Sequence, residues 1–175
     1  MEGVRIQASA IGICDSNFRD RNFVVWGETN DVITVSIRPI REEDASAAAS
    51  LCTQLGYPTD EAAVLERMRQ IPGDAHRAVL VACLDGEVVG WIDLSVEYHL
   101  QSEPAALIGG LVVSESARGR GIGLQLCRAA EDWTRAQGVV RMRVRSNAIR
   151  ERAHAFYLRD GYGRVKTSAV FEKVL

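Results

Sequence analysis

The chain has 175 residues, with 21 Lys and Arg against 23 Asp and Glu, 47% hydrophobic and 25% charged residues. That length suits one domain with a real core, and a net charge of −2 gives no electrostatic footprint for nucleic acid. No apolar stretch approaches the ~20 residues of a membrane-spanning helix, and Cys14, Cys52, Cys83 and Cys127 are too scattered for a disulfide frame or a zinc site.

Met1 to Asp31 is the least regular part, mixing Asp15, Asn17, Asp20, Asn22 and Asn30 with the apolar run Phe23-Val24-Val25-Trp26. It reads equally as a leader without fixed structure, an added strand or an oligomer arm. Residues 1–31 are therefore set apart as an extension and 32–175 as one domain. No basic stretch precedes an apolar one near Met1, and the thiols read as reduced, so the expected location is cytoplasmic.

The domain opens on Ile33 to Ile37, which alternates as a strand does. Glu42-Glu43-Asp44 puts acids in the first turn of a helix, the end its dipole favours, and Gly56 and Pro58 close it. A second helix is predicted over 59–71, with Thr59 as N-cap, Val64, Leu65, Met68 and Ile71 on one face, and Pro72-Gly73 as its stop. Ala78 to Leu84 is a continuous apolar strand. Asp85-Gly86 signals a hairpin, and the return strand sets Val88, Ile92, Leu94, Val96 and Tyr98 against Glu87, Asp93, Ser95 and Glu97.

A strand over 105–113 then leads into Arg118-Gly119-Arg120-Gly121-Ile122-Gly123. This segment opens an amphipathic helix carrying Ile122, Leu126, Ala129, Ala130 and Trp133, closed by Gly138. A strand is expected over 139–146, a helix over 150–160, and two short strands after it, the last near 170–174. The order predicts an α/β fold. Its central sheet is mixed and mostly antiparallel, flanked by helices on both faces, and the crossover helix makes strands 105–113 and 139–146 a parallel pair.

The glycine segment carries the most chemistry. Backbone N–H groups at a helix start lack partners and point outward, and glycines let a phosphate approach the main chain. The dinucleotide fingerprint fails because Leu124 stands where its last glycine belongs, and the P-loop fails for want of Gly-Lys-Ser/Thr.

The loop instead resembles the pyrophosphate loop of the GNAT superfamily of acyl-CoA-dependent N-acyltransferases. Its pattern, Arg/Gln-x-x-Gly-x-Gly/Ala, is filled by Arg118, Gly121 and Gly123. Phe156, Tyr157, Gly161 and Tyr162 likewise fill the superfamily's Phe-Tyr-x-x-x-Gly-Tyr/Phe segment. The resemblance spans roughly Val35 to Leu175 and is specific from Leu107 to Tyr162. It implies a fold whose parallel strands splay apart to admit the pantetheine arm.

The resemblance also implies roles. Arg118, Gly119, Arg120, Gly121, Ile122 and Gly123 would hold the pyrophosphate of acetyl-CoA. Leu111, Val112 and Val113 would bond to the arm through their main chain, an N–H of Val112 or Val113 serving the oxyanion. Asn147 and Phe156 complete the cofactor residues, and Tyr157 is the general acid for the departing thiolate. The structural alternatives are a solvated Arg120, a turn-forming Asn147 and a merely packed Tyr157. The implied activity is acetylation of a small-molecule primary amine by direct attack in a ternary complex, without a metal and in a homodimer. The rival readings are acetylation of a protein N-terminus or lysine, and an acyl-CoA-binding module without turnover. The stretches Leu55 to Pro58 and Tyr98 to Leu100 look like aminoalkylphosphonate and aminoglycoside acetyltransferases.

One departure stands out. Relatives carry Glu-Ile-Glu-x-Leu-Val-Val ahead of the loop, whereas this chain reads Leu107-Ile108-Gly109-Gly110-Leu111-Val112-Val113. Both carboxylates are missing, leaving Asp93, Glu97, His99 and Glu103 as candidate bases. The double glycine marks room for a bulky acceptor or a bulge. Arg141, Arg143 and Arg145 line one strand face, by default salt-bridged or solvated.

Overall fold

The computed structural model describes residues 20–26, 32–71 and 74–175. Cys14 and Pro72-Gly73 lie outside them, as does most of the 1–31 extension. A six-stranded sheet runs in simple sequence order: β1 (Arg21–Trp26), β2 (Val32–Pro39), β3 (Arg77–Leu84), β4 (Glu87–His99), β5 (Ser102–Val113) and β6 (Met142–Val144). All neighbours pair antiparallel except β5 and β6, which are parallel. Of the three alternatives for the extension, 21–26 takes that of an added strand, tied to α3 by an Arg21–Asp132 ion pair.

Helices cover both faces. α3 (Ile122–Ala136) lays Ile122, Leu126, Ala129, Ala130 and Trp133 on Ile37, Leu80, Ile92, Leu94 and Ile108, which are all essentially buried. This is the stripe the 3.6-residue period predicts. On the other face α1 (Ala45–Leu55) and α2 (Glu61–Met68) close over Trp91 through Ala45, Ala48, Ala49, Val64 and Met68. Small α1 residues let the helix approach the sheet closely. A buried ion pair anchors its start: Arg38 donates to both Asp44 oxygens at 2.7 and 2.8 Å, and the Arg41 amide donates at 2.7 Å. Burial alone would raise the Asp44 pKa, but these bonds outweigh it and hold the carboxyl below its ordinary range.

Turns follow their local chemistry. Gly56 caps α1 in the left-handed region at φ +96°, and Asp85 and Gly86 take φ 51° and 88° in the hairpin. Several boundaries differ from expectation. The N-cap of α2 is Asp60, whose carboxylate accepts from the Ala63 amide, while Thr59 accepts from Arg67 instead. The helix ends at Met68, three residues early. Gly138 lies one position beyond the cap Gln137.

β6 is only three residues long: the Val139 amide still bonds to the Thr134 carbonyl of α3 at 3.2 Å, and pairing with β5 spans only Met142 to Val144. α4 (Glu151–Arg159) forms as expected. The two final strands do not form: 162–175 has neither helix nor strand, and Val165, Val170, Phe171 and Val174 stay about nine-tenths exposed. A strand needs a ladder partner as well as propensity, and nothing among the described residues supplies one.

Candidate functional site

The site is built where the β5–β6 pairing stops. Their ladder covers Ala106 to Ile108 against Met142 to Val144 and goes no further. Residues 110–113 of β5 pair only with β4, and Gly109 with neither strand, so the other edge of 109–113 faces an open gap. Just beyond that stretch the Ser114 amide donates to Val89 of β4 at 2.7 Å. Strand amides alternate sides, so Val112 also faces β4, while Leu111 and Val113 face the gap.

At the mouth of the gap, Ser114 leads through a short turn into the glycine loop and α3. Gly119 and Gly121 hold φ values of 82° and 77°, and nothing lies within 4 Å of a Cβ built on either. Backbone conformation, not crowding, requires glycine there. No side chain caps α3, and its first internal bond is from Gln125 to the Gly121 carbonyl. The amides of Ile122, Gly123 and Leu124 therefore point outward without intrahelical partners, an arrangement suited to an anion.

Arg118 fastens this loop to the strand. Its Nε donates to the Val113 carbonyl at 3.1 Å, and its Nη1 pairs with Glu115 at 3.2 Å. Arg120 is exposed and makes no hydrogen bond or ion pair among the described residues.

A cleft of about 470 Å³ opens over the loop. Of the sequence-predicted residues it brings together Val113, Arg118, Gly119, Gly121, Ile122, Gly123 and Phe156. The Phe156 ring packs 3.6 Å from where a Gly123 Cβ would sit, joining α4 to α3. Leu111, Val112, Arg120, Asn147 and Tyr157 lie outside this lining.

Three charged lining residues went unnoticed in the sequence: Arg128, Arg159 and Asp160. Arg128 lies two helical turns after Gly121, a relation the helix period offers. Arg159 and Asp160 arrive from α4, and no local signal places them there. The Asp160 carboxylate is buried 3.4 Å from Arg128, and burial raises its pKa.

Tyr157 packs against the α3-side core, edge-to-face with Phe156 and Tyr162. Burial is the main cause of a raised pKa, opposed by Arg150, so the phenol stays protonated through the neutral range. Asn147 spends its side-chain oxygen on the Ile149 amide at 3.2 Å, while its carbonyl accepts from Arg150 and faces His154. It therefore fills the turn role directly, which leaves its NH₂ group for other bonds.

The opposite sheet face presents Trp91, Asp93, Ser95 and Glu97 of β4. Asp93 pairs with Gly110 but Leu94 with Ile108, so Gly109 is an extra residue and β5 is bulged there. The bulge alternative for the double glycine is thus the one the fold adopts. The Trp91 ring lies so close over Gly110 that a Cβ would come within 2.6 Å of it. Arg145 pairs with Glu97 at 2.9 Å and Arg141 with Glu103 at 3.0 Å, as the salt-bridged reading expects. No group of three or more His, Cys, Asp or Glu among the described residues is placed to hold a metal ion.

Comparison with known proteins agrees with this architecture. A model of the acetyltransferase (GNAT) family matches residues 41–162. An aminoalkylphosphonate N-acetyltransferase of Salmonella typhimurium is 34% identical over 79% of this chain and 92% of its own length. An aminoglycoside N(6')-acetyltransferase type 1 of Stenotrophomonas maltophilia is 30% identical over 80% of this chain and 94% of its own. A solved aminoglycoside N-acetyltransferase in complex with CoA superposes with a TM-score of 0.72 at 23% identity, covering 81% of this chain and 95% of that one.

Proposed function

Because this chain belongs to the acetyltransferase (GNAT) family and is an acyl-CoA-dependent acetyltransferase, we propose that it acetylates the primary amine of a small molecule by direct attack in a ternary complex with acetyl-CoA. One observation carries the reading. The unpaired edge of residues 109–113 leads directly into an uncapped helix start held by two left-handed glycines. An arm rich in amides and a diphosphate are the two parts of one ligand that such a run fits. Relatives named for aminoglycosides and an aminoalkylphosphonate support a small amine as acceptor.

The roles follow from where the groups point. The Ile122, Gly123 and Leu124 amides cradle the diphosphate, with Arg120 and the cleft arginines adding positive charge. Arg118 positions the loop by gripping the Val113 carbonyl. Leu111 and Val113 extend their main chain to the arm as one strand does to another. The Val113 amide is the better placed of the two oxyanion candidates, since that of Val112 faces β4.

Tyr157 donates to the departing sulfur. Its raised pKa keeps the phenol protonated, so the proton is present when the C–S bond breaks.

The test is a thiol-release assay on purified protein with acetyl-CoA and three acceptors: 2-aminoethylphosphonate, kanamycin and a lysine-containing peptide. Release with a small amine supports the reading. Release with the peptide alone favours a protein acetyltransferase. Cofactor binding without release on any acceptor favours a binding module.

A further inference from the structure

The acyl-transfer reading leaves the attacking amine without a base, because β5 carries no carboxylate at Leu107 or Gly109. We infer that Asp93, delivered from the neighbouring strand onto the bulge at Gly109, takes the proton from the acceptor amine.

The geometry is specific. The register puts Asp93 opposite Gly110 and Leu94 opposite Ile108, leaving Gly109 bulged between them. A Cβ built on Gly109 would meet Asp93 Oδ2 at 3.4 Å and Cγ at 3.6 Å. The carboxylate thus occupies the space into which a side chain at 109 would grow. A methyl group would just fit; anything longer would displace it. The missing carboxylate is therefore replaced from one strand away, and the glycine is what admits it.

Placement fits the reaction. Gly109 begins the unpaired edge and lies two residues, ~7 Å, before Leu111. Asp93 shares the sheet face of Trp91, whereas Tyr157 packs with the α3-side core. The base and the acid therefore reach the gap from opposite faces, one serving the entering nitrogen and the other the leaving sulfur. As the N–C bond forms, the amine proton passes to the Asp93 carboxylate. As the C–S bond breaks, the Tyr157 phenol protonates the thiolate. Return of the Asp93 proton to the phenolate through solvent restores both groups.

The surroundings separate Asp93 from its rivals. Its side chain is 37% exposed, accessible yet partly desolvated. Arg77 of β3 stands at 4.0 Å, too far for a hydrogen bond, and is the charged group that acts on it. β5 presents only Gly109 and Gly110 there, neither titratable. Glu97 lies four residues along β4, ~13 Å away, and is engaged by Arg145 and His99. Glu103 is three-quarters exposed and paired with Arg141. Burial raises the Asp93 pKa, with Arg77 and the Leu94 amide opposing, which moves it toward the range of a working base.

The experiment compares wild type, Asp93→Asn, and Asp93→Ala with and without Gly109→Glu. It measures kcat with 2-aminoethylphosphonate and kanamycin, CoA affinity by calorimetry, and the pH profile of kcat/KM. Gly109 is not in the left-handed region, so the backbone accepts Glu. Asp93→Asn should lower kcat ~10²–10⁴-fold, hold CoA affinity within twofold and remove the enzyme's ionisation from the acid limb, leaving only that of the acceptor amine. Gly109→Glu should restore at least tenfold to Asp93→Ala. Three results would overturn the assignment while acyl transfer itself stands: Asp93→Asn within threefold of wild type, an unchanged acid limb, or a parallel loss of CoA binding. No thiol release by wild type on any acceptor would overturn both readings together.

Discussion

Two glycines of the loop, two residues apart, should respond to the same substitution with opposite signs of stability. Gly121 caps α3 at φ +77°, where an L-residue costs ~1–2 kcal/mol. No atom lies within 4 Å of its would-be Cβ, so Gly121→Ala adds conformational cost without a clash. Part of that cost is offset globally, because alanine also lowers the entropy of the unfolded chain by ~0.4–1 kcal/mol. The melting temperature should fall by roughly 2–4 °C, at ~2–4 °C per kcal/mol for a chain this size.

Binding receives no such offset. Whatever part of the strain the folded loop escapes by relaxing must be restored on binding, so CoA affinity should drop by up to ~5–30-fold. Gly123 differs: it lies inside the first turn, and its Cβ would make ordinary contact with Phe156 at 3.6 Å. Gly123→Ala should stabilise the helix by up to ~0.5–1 kcal/mol while crowding the cleft and weakening CoA. Paired thermal melts and CoA calorimetry read both effects. Melting shifts of the same sign in the two variants, or a Gly121→Ala protein unchanged in both melting temperature and CoA affinity, would refute the view that this loop is a preformed cradle.

Other outcomes follow from single groups. Tyr157→Phe should reduce kcat by at least ~10²-fold, with CoA affinity within twofold; stopped-flow thiol release against calorimetry separates the two, and equal losses would remove the general acid. Asp44→Ala strands Arg38 beneath α1 and should cost ~3–5 kcal/mol, seen as a lower denaturation midpoint. The Asp44 pKa is depressed in the fold, so its contribution is complete above the unfolded value near ~3.9. It is lost as pH falls through the lower folded value, and acid titration of wild type but not Asp44→Ala should show that loss.

The Cys127 thiol, pushed up to about 12 chiefly by burial, should resist alkylation at pH 8 until the protein unfolds. Its folded value is raised, so its contribution is present below the unfolded value of ~8.5 and declines as pH rises from there. Prompt labelling of Cys127 in the native protein would show that α3 is less well packed than it stands.

Whatever depends on near neighbours in the chain could be read without coordinates. The Asp85-Gly86 turn, the Gly56 cap, the Ile122–Trp133 stripe and the glycine loop are set by φ preference and by periodicity, which act over a few residues. Hence the order of β2 to β6, the crossover and the glycine-led start of α3 were legible, and so was Phe156-Tyr157 on the following helix. Boundaries resolved by competition were less so. Asp60 displaced Thr59 as cap because its carboxylate reaches the Ala63 amide, and β6 starts late because the Val139 amide is bound to the end of α3.

Tertiary structure alone decided what depends on partners far along the chain. The segment near Val170 has the pattern of a strand but pairs with no strand among the described residues, so it forms none. Arg159 and Asp160 join the cleft because α4 packs beside α3. Asp93 lies over Gly109 because a one-residue bulge shifts β5 against β4, and register is a property of two strands together. Local preference thus shaped a loop suited to an anion, and its resemblance to a family motif, with that of Phe156-Tyr157, pointed to the class of chemistry. The positions of Asp93, Tyr157 and the charged cleft residues were fixed by packing between elements that the linear order keeps apart.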